Sequence, residues 1–389
     1  MQAVQVVRMM KILFVTAFLP MDFGSGSAMR SYQLHKALEK SAHVDVVSAN
    51  NWPINPDVLN EFDGNYIGHV KIPGRLSYLN KTPSLSTGLQ ALVNLDEYDF
   101  VFSRYYNPAF WLGLLHLNNL ILDCDDCILE MLENEYRDNK RNVVKRTLSY
   151  LRHRIFKDRY LASLEIPRAC IYSRHSQYSK TLTNAVEIPN RLTATKSVIP
   201  LHNQASKKNK TVLFVGVLNY GPNIDGLNHF LEYIWPGVLA ELPETRLSIV
   251  GSNAKKHNEN HWKKQPNVDF KGYVRSIEEA YHLADVCIVP VYRGGGVHIK
   301  IMEAFKYGKA VVMSDEAQRG YHNKIKDGQH AFIAKSDNEF IVKLNALLSN
   351  ETTRKSVSQQ ANDIFHREFS IDSDDPAIAH LLGTAAANA

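Results

Sequence analysis

The stretch Val286-Cys287-Ile288-Val289-Pro290-Val291-Tyr292-Arg293-Gly294-Gly295-Gly296-Val297-His298-Ile299-Lys300-Ile301-Met302-Glu303-Ala304 sets three signals side by side. Residues 286–289 are a short apolar run, as in a strand buried on both faces, and Pro290 ends it. Gly294, Gly295 and Gly296 admit positive φ and let a ligand approach the backbone closely. A helix over 299–307 begins directly after them. Its first N–H groups lack intrahelical partners and its dipole is positive at that end, which suits an anion. Lys300, in the first turn, adds a point charge for a phosphate. Glu303 lies three residues on, on roughly the same face, where a carboxylate can accept two hydroxyl hydrogen bonds such as a ribose offers. The plainer reading is a glycine turn followed by a surface lysine and glutamate. The coincidence of strand end, glycines, helix start and charges favours a phosphate-bearing ligand.

The same alternation of strand and helix extends in both directions. Downstream of a polar linker at 201–210, strands are predicted at 211–217, 246–250, 268–271, 286–289 and 310–313, with helices at 223–240, 276–284 and 299–307. Upstream, strands fall at 11–17, 44–47, 98–102, 119–122, 169–172 and 186–188. A helix spans 27–40 with Ser27 as its N-cap, and a long helix spans 141–165. Strands alternating with helices predict a parallel, doubly wound α/β sheet, here twice in tandem. The predicted domains are 1–200, 201–370 and a tail, 371–389, that packs back on the first. Ligands bind beyond the C-terminal strand ends of such sheets, so two of them are expected to face each other across a cleft. Met10-Lys11-Ile12 looks like a natural start, leaving residues 1–9 without a role in the fold.

Composition narrows the classes further. The chain has 389 residues, 44% hydrophobic and 22% charged, which is globular and long enough for two domains. Four cysteines exclude a disulfide scaffold, and Cys124 and Cys127 have no second pair at zinc-site spacing. No run approaches the length of a membrane-spanning helix, and the apolar segment after Lys11 lacks a signal-peptide cleavage site. The net charge of +5 is too small to indicate nucleic acid, but it is unevenly spread. Residues 123–138 carry seven acids and one arginine; residues 140–159 carry eight Lys or Arg and one Asp. Within the latter, Val144, Leu148, Leu151 and Ile155 recur at helical spacing and form one apolar face, with Arg141, Lys145, Arg152 and Lys157 on others. A solvated charged face is the default there; attraction to anionic lipid headgroups is the sharper alternative.

Several of these segments together resemble the retaining glycosyltransferases of the family-four type, with the GT-B fold, in the variety seen in bacterial exopolysaccharide synthesis. The resemblance covers residues 10–370. The opening strand Met10-Lys11-Ile12-Leu13-Phe14-Val15-Thr16 resembles the family's, and Gly24-Ser25-Gly26-Ser27 resembles the loop that meets donor and acceptor. Ile188-Pro189-Asn190 resembles the end of the N-domain. The segment from Phe214 through Gly216, Asn219 and Tyr220 to Asn223 resembles the first turn of the donor domain. Asp269-Phe270-Lys271-Gly272-Tyr273-Val274 resembles the strand whose following loop holds the base, and the quoted glycine–helix block resembles the nucleotide site.

The resemblance implies two doubly wound Rossmann-like domains and transfer of a sugar from a nucleotide-diphosphate sugar to a glycan or lipid-linked acceptor. It implies UDP or GDP as the base-bearing group, no separate cofactor and no metal, since GT-B enzymes generally work without one. It also implies a cytoplasmic protein, peripheral on the inner face of the membrane. Lys300, Glu303 and Arg104 are the catalytic candidates. Gly24, Ser25, Gly26, Asn219, Tyr273, Val274, Gly294, Gly295, Gly296, Val297, His298, Lys300 and Glu303 are the donor-binding candidates. Arg293 and Arg191 are possible helpers for the diphosphate, and the acids Asp123, Asp125 and Asp126 are candidates for acceptor contact or helix capping.

The chain also departs from the family pattern. The first of the family's two glutamates falls on Gly295. That keeps a catalytically inactive sugar- or nucleotide-binding subunit as an alternative. A dinucleotide-dependent oxidoreductase is a weaker one. Its fingerprint needs Gly or Ala where Met29 stands, and an acid ~20 residues on.

Overall fold

The computed structural model describes residues 8–74, 80–125, 127–137, 142–174, 176–194, 210–293, 297–321, 324–371 and 376–386. The chain divides into two compact units, Met1–Asn190 with Asp374–Ala389, and Arg191–Ser373.

The first unit is built on seven strands: β1 Met10–Thr16, β2 Ala42–Asn50, β3 Asn65–Lys71, β4 Phe100–Arg104, β5 Leu120–Asp123, β6 Ala169–Tyr172 and β7 Ala185–Glu187. Their order is β3-β2-β1-β4-β5-β6-β7, and every pairing is parallel. Along β1, Leu13 and Val15 belong to one apolar cluster while Ile12 and Phe14 belong to another, and all four are fully buried. Both faces are covered, which is why the strand reads as a continuous apolar run. The C-terminal helix Pro376–Ala386 returns to this unit, placing Ile378 and Leu382 in the cluster that holds Phe14 and Ile188.

The second unit is built on β8 Thr211–Val215, β9 Arg246–Val250, β10 Val268–Gly272, β11 Val286–Val289, β12 Ala310–Ser314 and β13 Phe332–Ala334. Their order is β10-β9-β8-β11-β12-β13, again parallel throughout. Val212, Phe214, Ile249, Ile288 and Val312 pack with Leu227, Trp235, Phe340 and Leu344 from the covering helices. At Gly226 a Cβ would stand 1.9 Å from the carbonyl oxygen of Pro290, so glycine lets the helix Gly221–His229 lie directly against the end of β11.

Three details differ from the sequence-based expectations. The edge strands β3 and β13 have no counterpart among the predicted strands. The cap of the helix Gly26–Glu39 is Ser25, whose side chain accepts from the Ala28 N–H at 3.2 Å, rather than Ser27. The helix predicted over 223–240 is interrupted by a π turn, Phe230–Ile234. Pro236 follows it and supplies no N–H to continue the regular ladder. On the helix Val143–Leu164, capped by Asn142, the stripe Val144, Leu148, Leu151 and Ile155 faces solvent. Ser149, His153, Phe156, Tyr160 and Leu164 make its buried side. Among the described residues no helix is long and apolar enough to cross a membrane.

Asp123, at the end of β5, sits between two fully buried arginines. Arg30 contacts it through Nη2 at 2.9 Å and Nε at 3.2 Å, and Arg104 through Nη1. Arg30 also donates to the Ile188 carbonyl at 2.9 Å and to Asn190 Oδ1 at 2.8 Å. The carboxylate thus ties β4, β5, the helix Gly26–Glu39 and the segment after β7 together. Removing one partner of a buried ion pair strands the other charges. Asp123→Ala should therefore lower the unfolding free energy by about 3–5 kcal/mol, seen as a lower urea midpoint.

Candidate functional site

In the second unit, β8 and β11 are neighbours, so the segments that follow them emerge side by side at the C-terminal edge of the sheet. After β8 come Gly216, Val217, Leu218, Asn219 and Tyr220, and then the helix Gly221–His229. After β11 comes the segment leading to the helix Ile299–Lys306. That helix starts at His298, and no side chain caps it. The glycines Gly294, Gly295 and Gly296 lie outside the described residues.

Lys300 reaches across between the two segments. Its Nζ donates to Asn223 Oδ1 at 2.7 Å and lies 4.7 Å from the centroid of the Phe214 ring. Asn223 is buried and fixed in turn, its Nδ2 donating to the Val217 carbonyl at 3.0 Å. Gly216 leaves the room for this meeting: a Cβ there would fall 2.8 Å from Asn223 Nδ2 and 2.9 Å from Lys300 Nζ. Among the described residues, the ammonium has a neutral amide and a ring for company. Burial pushes it down to about 7, opposed by the more distant charge of Glu303.

Glu303 lies one turn further along the same helix, half-buried. Burial raises its carboxyl; the charges of Lys306 and Lys300 and a hydrogen bond from Tyr281 oppose that rise. Tyr281 is itself buried and stacks on Tyr307 with centroids 4.8 Å apart. His298 is pushed down to about 3, by burial first and then by the charges of Lys300 and Arg319, so its ring is neutral near pH 7. The pattern is of polar groups whose charged forms are poorly compensated in the free protein.

The other candidates are distributed as follows. Asn219 is exposed in the loop after β8, and Val297 is half-buried ahead of His298. Tyr273, 75% exposed, and the half-buried Val274 follow the edge strand β10, two strands from β8. Arg293 forms an ion pair with Asp225. Arg191 opens the second unit. Gly24, Ser25 and Gly26 belong to the first unit, where Gly24 takes φ +92° and Ser25 caps the helix. Arg104 is fully buried there. Besides Asp123 it donates to Ser31 Oγ at 3.2 Å, Tyr105 Oη at 3.0 Å and the Ser27 carbonyl at 3.3 Å. Asp125 approaches Arg30 Nε at 3.7 Å, and Asp126 lies outside the described residues. All four cysteines are buried thiols. Among the described residues no group of three or more His, Cys, Asp or Glu side chains is placed to hold a metal ion.

Residues 209–350 match the family model for glycosyl transferases group 1. The match lies within the second unit, Arg191–Ser373. No curated protein matches the chain. Solved structures resemble it over nearly its whole length. The sucrose-phosphate synthase of Thermosynechococcus elongatus superposes with a TM-score of 0.66 at 14% identity, covering 97% of this chain and 98% of its own. Anabaena HepE, in complex with UDP and glucose, gives 0.63 at 14% identity, covering 96% and 99%. A mutant of S. aureus TarM, in complex with fondaparinux, alpha-GlcNAc-glycerol and UDP, gives 0.67 at 11% identity, covering 97% and 99%. At these identities the likeness is one of fold, and the fold is GT-B: two parallel-sheet α/β domains.

Asn223, Phe214, Gly216 and Tyr281 are absent from the site residues read from the sequence, because spacing alone does not single them out. Phe214, Gly216 and Asn223 do lie within the segment that resembles a donor-domain turn. The depressed Lys300 gives a pH test. A bound diphosphate holds the ammonium charged, so its affinity should fall as pH rises from about 7 toward the higher pKa of the complex. The limit is about tenfold per pH unit. Titration calorimetry at pH 8 in buffers of different ionisation enthalpy should show proton uptake on binding; Lys300→Met should abolish that uptake. Equal observed heats in all buffers for the native protein would remove Lys300 from the diphosphate contact.

Proposed function

We propose that the protein transfers a sugar from a nucleotide-diphosphate sugar to a glycan or lipid-linked acceptor, with retention of the anomeric configuration and without a metal ion. The observation that carries this reading is Lys300. It is an ammonium held by Asn223 at the start of an uncapped helix, inside a domain that matches glycosyl transferases group 1.

In this reading the diphosphate lies between the Gly216 turn and the start of the helix Ile299–Lys306. Lys300 and the helix dipole stabilise the charge that develops as the bond from the sugar's anomeric carbon to phosphate breaks. The acceptor hydroxyl attacks from the face the diphosphate leaves, and its proton passes to the departing phosphate oxygen. No protein nucleophile is required. Glu303 accepts from the ribose hydroxyls, and the exposed Tyr273 offers a face for the base, with Val274 beside it. Val297 and His298 present backbone to the sugar and phosphates, and Gly294, Gly295 and Gly296 remain donor-binding candidates by their sequence, with Gly295 where the family has an acid. Gly24, Ser25 and Gly26 form the loop on the acceptor-side domain. Arg104 is enclosed by its partners, so its part is to orient that loop through the Ser27 carbonyl. UDP and GDP are the favoured donor nucleotides, and the site of action is the cytoplasmic face of the membrane. The glycine at 295 favours a second reading, a binding subunit without transfer activity. Donor hydrolysis measured with and without acceptor separates the two.

A thermal-shift panel of UDP, GDP, ADP and their sugars should single out one base, because a ligand bound only to the native state stabilises it by RT ln(1 + [L]/Kd). Glu303→Ala should weaken that nucleotide by about 1.5–3 kcal/mol, the scale of hydrogen bonds to a charged group. Unchanged affinity in the folded variant would take Glu303 out of the ribose site. EDTA should leave the transfer rate nearly unchanged; complete loss restored by Mg²⁺ or Mn²⁺ would overturn the metal-free mechanism.

A further inference from the structure

The helix Val143–Leu164 is anchored along its buried side. Ser149 Oγ donates to Glu135 Oε2 at 2.7 Å, and the His153 ring meets the Tyr178 hydroxyl at 2.8 Å. Arg146 Nε donates to the Tyr136 carbonyl at 3.0 Å, and Phe156, Tyr160 and Leu164 fill the remainder of the buried side. At about 100° per residue, Val144, Leu148, Leu151 and Ile155 lie roughly 150° around the helix from that side. Their exposures are 66%, 47%, 47% and 55%. These four aliphatic side chains form a continuous outward ridge. The same helical geometry puts Lys145 and Arg152 along one flank of it and Arg154 along the other, all three exposed, whereas Lys157 falls roughly 150° from the ridge. Asp158 is the one acid in the helix. An apolar ridge with cations on both sides matches the charge of an anionic lipid surface.

We propose that this helix docks the protein on an anionic lipid bilayer. It lies in the plane of the interface, with Val144, Leu148, Leu151 and Ile155 inserted below the headgroups and Lys145, Arg152 and Arg154 at the lipid phosphates. The inference rests on the helix alone and stands or falls independently of the sugar-transfer reading.

The test is co-sedimentation of the full chain with vesicles of phosphatidylcholine alone and of phosphatidylcholine mixed with phosphatidylglycerol, at low salt. Two variants divide the contributions. One replaces Leu148, Leu151 and Ile155 by Asn and keeps every charge; the other replaces Lys145, Arg152 and Arg154 by Glu and keeps the ridge. Native protein should sediment with the mixed vesicles only. Each lost cation should reduce binding roughly fivefold, and the ridge variant should bind at least about tenfold more weakly. A Leu151→Trp reporter should shift its emission to the blue on the mixed vesicles. Native protein that stays in the supernatant overturns the proposal, as does a ridge variant that sediments like the native chain. Native protein that ignores vesicles but forms a dimer lost in the ridge variant assigns the face to a second copy instead. Circular dichroism checks the fold, and should either multiple variant fail to fold, the Trp reporter decides alone.

Discussion

Parallel strands cannot be joined by a tight turn. Each must be followed by a crossover that carries the chain back along the sheet, and every strand then ends on the same edge. Both sheets here are parallel without exception, so each collects its strand-to-helix turns along one rim. In the second unit the order β9-β8-β11-β12 makes β8 and β11 neighbours. Their following segments, 77 residues apart in the chain, therefore meet at Asn223 and Lys300. Gly226 against the Pro290 carbonyl and Gly216 against the lysine remove the side chains that would hold the segments apart. The candidate site follows from topology first and from particular side chains second.

The two rims treat charge in opposite ways. In the first unit, Arg30 and Arg104 share Asp123, and further donors go to carbonyl, hydroxyl and amide oxygens. That network has already found its anion from within the chain. In the second unit, Lys300 has an amide oxygen and an aromatic face, and burial lowers its hold on the proton. A poorly compensated cation in a poorly solvated place is unfavourable in the free protein and favourable once an anion arrives. The neutral His298 and the uncapped helix start beside it have the same character. This contrast favours a structural role for the buried arginines of the first rim and a ligand-facing role for the lysine of the second.

How much was legible in the sequence follows the same physics. Central strands such as β1, β4 and β11 are buried on both faces, so their apolar runs are unbroken and short. β3 is a half-exposed edge with Gly68 inside it, and β13 has three residues, so neither produces a run that stands out. Lys300 and Glu303 were legible because a glycine run and a helix start are local signals. Asn223 and Tyr281 were not, because their part depends on which strands become neighbours. Arg104 shows the reverse: an arginine after a strand marks a strand end, but the carboxylate that encloses it is fixed by tertiary structure. The exchange of Ser27 for Ser25 as helix cap is a shift of two residues between serines of equal capping ability.

Periodicity carries its own ambiguity on the helix Val143–Leu164. Aliphatic residues at i, i+4, i+7 and i+11 define a face, but spacing does not say which way the face turns. Here Phe156, Tyr160 and Leu164 claim the inner side, and Ser149 and His153 can join them because each finds a polar partner. The four aliphatic side chains are left outside, with apolar surface whose removal from water would gain about 25 cal/mol per Å². The cations on the flanks act over a Debye length of about 8 Å at physiological salt. The two contributions respond in opposite directions to the medium, since salt screens charge and excluded, strongly hydrated anions strengthen apolar burial. In the proposed docking, charge would draw this surface to an anionic bilayer from a short distance, and apolar contact that salt does not undo would hold it there.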